Sequence, residues 1–324
     1  MSQNHRLNIN FGLVLGLLLS SSPLLAAPKQ NVWVYASVYK EYIAPLEAAF
    51  EKLNPTIDVQ VFQAGSEKIQ AKVEAELVAK KLQADIILVS DPFWGRDLAS
   101  RGLTHVRKGK NEPVLTNYNS LMVMIVHRTV SEAQRPKSFA DLTKPEFKGQ
   151  LVMGSPLESG STFSTVAVLS EKLGWDYFKG LATNKMVSAG GNSAVIQKVE
   201  SGEKKVGIVL LENALASMKR GSPIDVVYPS EGGIVIPSVQ VIFKDSPRKD
   251  LAEKFGDFVL SDEGQKILIS GYMYSSSNKL PAPPDAMPFT MASKGSPEWT
   301  PEFTSKIAKA SKEIKKKFAA LLLD

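Results

Sequence analysis

Several short stretches of this chain carry the residue types that hold anions. Ser159-Gly160-Ser161-Thr162 opens one amphipathic segment, and Gly190-Gly191-Asn192-Ser193 opens the next. Gly65-Ser66 and Ser37, in the turn Ala36–Tyr39, stand in the same relation to earlier segments. The first turn of a helix leaves its N–H groups without intrahelical partners. The helix dipole adds roughly half a positive charge there, so such a terminus accepts phosphate or carboxylate. Glycine lets a ligand approach the backbone, and hydroxyls add donors. A single Ser or Thr is an ordinary N-cap, but three hydroxyl residues and a Gly exceed what a cap uses. For residues 190–193 a flexible turn with a cap accounts for the sequence equally well. Glu212-Asn213 follows the apolar run VGIVLL directly. Its carboxylate and amide can bind sugar hydroxyls or an amine, or can simply start a solvated helix. Ser90-Asp91-Pro92 is either a ligand contact or a common turn, and Phe93 and Trp94 behind it read as core.

Catalysis has little support. The chain has three histidines and no cysteine. His5 falls in the leader described below, His127 ends an apolar run, and His105 sits among Arg107, Lys108 and Lys110. No metal-binding H-E-x-x-H and no phosphate loop G-x-x-x-x-G-K-[ST] is present, nor a G-x-S-x-G nucleophile elbow. The absence of Cys removes disulfides, thiolate metal sites and a lipid anchor on an N-terminal Cys. The expectation is a binding protein, not an enzyme, with no cofactor and no metal.

The elements that position these residues alternate. Val32–Tyr35, Asp58–Gln63 and Asp85–Val89 read as strands. Lys40–Leu53, Glu67–Lys81 and a segment ending at Arg101 read as the helices after them. Ser120–His127 is a strand leaving this unit, and Arg135–Gly149 is irregular. A second unit follows, with strands Leu151–Gly154 and Val206–Leu211. Its helices are expected at Ser161–Leu173, Trp175–Leu181, Ala194–Ser201 and Ala214–Arg220. Ile234–Phe243 is strand-like, with Pro237 marking an edge or a crossing between lobes. Helices Lys249–Leu260 and Asp262–Ile269, a stretch 271–300 without periodicity, and an amphipathic helix Glu302–Leu323 complete the chain. Alternation of this kind implies an α/β protein of mostly parallel sheets with helices on both faces. In such sheets ligands bind beyond the carboxyl ends of the strands, which is where the polar turns fall.

Residues 1–27 have the layout of a secretory signal peptide: Arg6, an apolar run from Phe11 to Leu19, then Ser20–Pro23 and the small Ala26 and Ala27. The run is shorter than the ~20 residues of a spanning helix. Cleavage is expected after Ala26, leaving an exported protein placed in a periplasm. The formal net charge of +6 invites a nucleic-acid or membrane reading. Much of it lies in residues 301–324, where six lysines face Glu302, Glu313 and Asp324. A solvated face on a packed helix is the simpler account, and no nucleic-acid partner is expected.

From about Val32 to Pro288 the order of elements resembles the solute-binding proteins of ABC importers with the type 2 periplasmic binding fold. It is similar, more narrowly, to their ferric-iron subfamily, which also holds receptors for sugar phosphates, phosphoglycerate and aminoethylphosphonate. VWVYASVYKEYIAPLEAAFEKLNP, ADIILVSDPFWGRDLASRGL, SPLESGSTFSTVAVLSEKLGWDYFKGL, GGNSAVIQKVESGEKKVGIVLLENALA and DFVLSDEGQKIL carry the resemblance. It implies two lobes joined by hinge strands: 27–122 with about 236–300, and 123–235, followed by the helix 301–324. It also implies a small anionic ligand, an inner-membrane permease with its ATPase, and a monomer. Ferric members place adjacent tyrosines after the strand matching VGIVLL; here stand Glu212 and Asn213, and Tyr39 and Tyr42 do not replace that pair. By the same resemblance Gly160, Ser161, Thr162 and Asn192 are expected on a phosphate, beside Ser159 and Ser193. Glu212 and Asn213 are expected on hydroxyls or an amine. Ser37, Tyr39, Gly65, Ser66, Ser90 and Asp91 are expected on the first-lobe side. Two alternatives are a ferric-iron receptor and a ligand sensor for a membrane kinase.

Overall fold

A computed structural model describes residues 1, 28–277 and 279–323. Apart from Met1, the expected leader lies outside the described residues. The first alternating unit is β1 (Gln30–Ala36), α1 (Lys40–Leu53), β2 (Ile57–Gln63), α2 (Ser66–Val78), β3 (Ile86–Val89) and α3 (Pro92–Ser100). Ile43, Leu46 and Phe50 of α1 are buried. Their three- and four-residue spacing puts them on one face, against Val32 and Val34 of β1. The long strand β4 (Val114–His127) leads to the second unit. That unit is β5 (Leu151–Met153), α4 (Gly160–Thr183), β6 (Val187–Ser188), α5 (Asn192–Glu200), β7 (Val206–Leu210), α6 (Leu211–Lys219) and β8 (Ile224–Val227). The chain returns through β9 (Ile234–Ile242), α7 (Lys249–Leu260), α8 (Asp262–Ser270), β10 (Tyr274–Ser275), α9 (Phe289–Ala292) and α10 (Pro301–Leu322).

The strands run in the order β2-β1-β3-β9-β4-β7-β5-β6, with β8 and β10 also on β4. β1 is parallel to β2 and β3, and β5 is parallel to β6 and β7. Two long antiparallel strands join these halves. β9 pairs with β3 through Val239–Ile242 and with β4 from Ile234 onward. β4 slips register between Thr116 and Tyr118, then pairs with β7 through Met122–Val126. Pro237, opposite Asn119, has no N–H for the ladder and lies where β9 has left β3. The result is a two-lobed α/β molecule with each half of the sheet covered by helices.

Several elements differ from the sequence reading. Residues 114–119 extend β4, although Thr116-Asn117-Tyr118-Asn119 shows no apolar alternation; pairing with β9 holds them in the sheet. β8 has no counterpart in that reading, because four residues carry too short a pattern. The two helices expected on either side of residue 174 form one helical span interrupted at Gly174, whose φ of 73° is a left-handed value that glycine adopts freely. The helix expected from Ala214 begins earlier: α6 starts at Leu211, with Leu210 as N-cap and no side-chain cap bond.

The helix α10 buries Ile307, Ile314 and Phe318 in a cluster with Phe93 of α3 and Phe163 and Phe178 of α4. Phe93 meets Phe163, Trp299 and Phe303 at ring separations of 5.6, 5.2 and 6.0 Å. Phe93 and Trp94 are therefore core. Lys309, Lys312 and Lys316 stay exposed, as the amphipathic pattern implies.

Candidate ligand-binding cavity

The carboxyl ends of β1, β2 and β3 and those of β5 and β7 face one another across a cavity of about 260 Å³. Gln63, at the end of β2, and Leu210, at the end of β7, line it. Between them stand three helix starts. Gly65 and Ser66 begin α2, Ser159, Gly160 and Ser161 begin α4, and Gly191, Asn192 and Ser193 begin α5. The N-caps of α2 and α5 are glycines without a capping side chain, so their first-turn N–H groups remain for a ligand. In α4 the Ser159 hydroxyl accepts from the Thr162 N–H at 3.3 Å, and the amides of Gly160 and Ser161 lie ahead of that cap.

The wall is organised by its own polar bonds. The Ser90 N–H donates to the Ser37 hydroxyl at 3.1 Å. Asn192 donates from Nδ2 to the Ser161 hydroxyl at 3.1 Å, and its Oδ1 accepts from the Leu210 N–H at 3.2 Å. The Asn192 side chain thus fixes α5 to α4 and β7, which leaves its backbone amide as the group available to a ligand. The Ser193 hydroxyl donates to the Tyr39 hydroxyl at 3.4 Å, from one lobe to the other. Burial raises the Tyr39 phenol above its ordinary pKa, so it stays protonated. A Cβ on Gly160 would come within 2.7 Å of the Ser66 Cβ and 3.0 Å of the Asp91 Cβ. Only a glycine permits that approach of the lobes.

Ten expected site residues line this cavity: Ser37, Tyr39, Gly65, Ser66, Ser90, Ser159, Gly160, Ser161, Asn192 and Ser193. Four do not. Thr162 is buried behind the α4 start. Asp91 caps α3, its Oδ1 accepting from the N–H groups of Phe93 and Trp94, each at 3.0 Å. It borders a different cavity of about 570 Å³ under α10. Burial, and then the neighbouring Glu67, push its carboxyl up to about 7. Glu212 and Asn213 sit in the first turn of α6 instead of a loop, behind the lining. Glu212 is 4% exposed, and its Oε1 accepts from the Ser120 hydroxyl at 2.5 Å. Its Oε2 and the Asn213 Oδ1 are buried without partners among the described residues. Burial pushes the Glu212 carboxyl up to about 7.

Gln63, Lys68, Glu158 and Leu210 line the cavity without having been singled out from sequence. Gln63 ends a strand, and that position alone points to it. Lys68 is one of many lysines, and nothing local distinguishes it. The Glu158 Oε1 accepts from the Gly190 N–H at 3.1 Å, a contact 32 residues distant in sequence. A larger cavity of about 670 Å³ lies around Arg135, Lys144 and Lys205. No α-helix start among the described residues opens on it, so the smaller, amide-lined one is the candidate.

Residues 31–272 match the family described as "Bacterial extracellular solute-binding protein". The chain belongs to this family. Its members are receptors of importers and not enzymes. A Haemophilus influenzae protein described as uncharacterized is 29% identical over 283 residues, 79% of each chain. The major ferric iron-binding protein of Neisseria meningitidis serogroup B is 25% identical over 289 residues, 81% of this chain and 84% of that one. Among solved structures, the periplasmic binding protein AfuA of Actinobacillus pleuropneumoniae, with exogenous fructose 6-phosphate bound, superposes with a TM-score of 0.79. It is 21% identical and covers 91% of this chain and 99% of its own, so it shares the type 2 fold.

Proposed function

We propose that the chain is a periplasmic receptor that captures a small phosphorylated or phosphonate-bearing organic solute between its lobes. It delivers this solute to an inner-membrane ABC permease and its ATPase. One observation carries the reading: the N-termini of α2, α4 and α5 converge on one cavity, two of them without a capping side chain. An anion there receives backbone N–H donors from both lobes, together with the hydroxyls of Ser66, Ser161 and Ser193, without a buried counter-charge. Lys68 lies at the rim. Glu212 and Asn213, with free acceptor oxygens behind the wall, take hydroxyls or an ammonium of the same ligand once Tyr39 and Ser193 part to admit it. Asp91 supports the first-lobe side through α3, its carboxylate being committed to the cap. β4 and β9 act as the hinge strands, bending near Thr116–Tyr118 and Pro237. A ligand favours closure by contacting both lobes better in the closed state.

The test is a thermal-shift screen of the mature chain, residues 27–324, with fructose 6-phosphate, phosphoglycerate, aminoethylphosphonate and ferric citrate, followed by calorimetry of each hit. A tight ligand raises the melting temperature as RT ln(1 + [L]/Kd) grows. Stabilisation by a phosphorylated organic solute supports the reading. A visible phenolate-to-iron band on adding ferric citrate, with no response to organic phosphates, replaces it with the ferric one.

A further inference from the structure

The helix α10 does more than cover a lobe. Its Lys315 Nζ lies 2.6 Å from Glu67 Oε2, and Glu67 is the second residue of α2, directly after the cavity residue Ser66. The same Nζ stands 4.7 Å from the ring centroid of Phe163, and Phe163 directly follows Thr162 at the start of α4. One cation thus touches the first turns of two helices that present their amides to the cavity from opposite lobes. The pair is largely withdrawn from solvent, with side chains 19% and 14% exposed. The other Glu67 oxygen is buried without a partner among the described residues. Asp91, which Gly160 approaches from the second lobe, lies beside both Glu67 and Lys315. The rest of α10 is anchored on each side. Phe303 meets Phe93 of α3 edge-to-face, Phe318 meets Phe178 of α4 in the same way, and Lys306 pairs with Glu171 of α4.

We propose that Lys315 is a positioning residue for ligand capture: it clasps the starts of α2 and α4 together across the lobes and so sets how tightly the cavity closes. A cation suits this place for two reasons. Towards the first lobe it satisfies a buried carboxylate. Towards the second it meets the negative face of an aromatic ring, an attraction that strengthens when solvent is excluded. Opening the lobes separates Glu67 from Phe163, so Lys315 keeps both contacts only in the closed arrangement. Removing the cation leaves Glu67 and Asp91 as neighbouring carboxyls without the ammonium that stands beside both.

The experiment uses the absence of cysteine. Lys52→Cys on α1 and Lys179→Cys on α4, both exposed in the native chain, take spin labels whose separation reports closure without any ligand. Lys315→Met is expected to shift the distance distribution to longer separations. Lys315→Arg keeps the native distribution, and Lys316→Met on the exposed side of the same helix leaves it unchanged. With fructose 6-phosphate as probe, Lys315→Met is expected to raise the dissociation rate roughly tenfold while the association rate stays put, a tenfold change in Kd. A lowered melting temperature with unchanged label separation overturns the clasp and makes Lys315 a packing residue only. The kinetic arm rests on the proposed ligand class. If fructose 6-phosphate does not bind, that class is what fails, and the ligand-free distances still decide the clasp.

Discussion

Asp91 and Glu212 occupy corresponding places in the two lobes. Each follows a buried strand, β3 or β7, and each stands at the start of the next helix. Both are nearly inaccessible to solvent, and burial pushes both carboxyls up to about 7. Their oxygens are used differently. Asp91 spends Oδ1 on two backbone N–H groups of α3. Glu212 does not cap α6, takes one hydrogen bond from Ser120, and leaves Oε2 unpaired. A buried acceptor without a partner costs about 1–3 kcal/mol, so Glu212 carries an unmet hydrogen bond that the proposed ligand would relieve, whereas Asp91 has spent its own oxygen on the cap. Equal burial and equal pKa displacement therefore do not imply equal roles; the hydrogen-bond partners decide.

The largest effects separate these roles directly. Glu212→Gln keeps the shape and removes the acidic acceptor. It is expected to weaken binding of the cognate solute by about 2–3 kcal/mol, the range of a charge-assisted hydrogen bond, while urea denaturation of the free protein shows no loss of stability. Asp91→Ala is expected to do the reverse, losing about 2 kcal/mol of folding stability through the missing cap. Calorimetry and denaturation on both variants check this. If Glu212→Gln destabilises the free protein as much as Asp91→Ala does, the comparison fails.

Proton linkage sharpens the same contrast. A carboxyl that titrates higher in the folded chain than in the unfolded one binds its proton more tightly when folded, so stability is lost as the pH rises between the two values. For Glu212 that window runs from 4.5 to about 7, and for Asp91 from 3.8 to about 7. The free protein is therefore expected to lose stability from pH 5 toward pH 7. A saturating solute that donates to the Glu212 Oε2 favours the ionised form and flattens that slope. In Glu212→Gln the ligand should have no slope to flatten at this position, while Asp91→Asn should keep the effect. Denaturation midpoints at half-unit pH steps, with and without ligand, read the difference.

The contrast also explains what was legible beforehand. The starts of α4 and α5 could be read because their chemistry is local: hydroxyls, Gly and Asn within four residues, next to apolar periodicity. The α1 and α7 boundaries followed from the same periodicity. Glu212 was visible as a candidate, but its setting was not. α6 has Leu210 as its N-cap and no capping side chain, and so lacks the N-cap residue that marks a helix start. Asp91 read as either a ligand contact or part of a common turn, and its role as the α3 cap emerges only from the backbone geometry. Lys315 and Glu67 are 248 residues apart, a separation at which no spacing rule operates.

The smallest predicted effects come from two glycines on the same rim. Gly160 and Gly191 both open helices at the cavity, and neither has a positive φ, so alanine suits the backbone at each. They differ in what lies opposite. A Cβ at Gly160 meets Ser66 and Asp91 of the first lobe, whereas one at Gly191 has nothing within 4 Å. Gly160→Ala is therefore expected to weaken binding roughly tenfold, about 1.4 kcal/mol, by holding the lobes apart, with the melting temperature of the free protein little changed. Gly191→Ala is expected to leave both affinity and stability within about 0.5 kcal/mol of the parent, the usual range for a substitution that meets nothing. The pair isolates lobe approach from loss of backbone freedom, since only the first change inserts an atom between the lobes. Equal losses in the two variants would show that the turns, and not the seam between Gly160 and Ser66, limit closure.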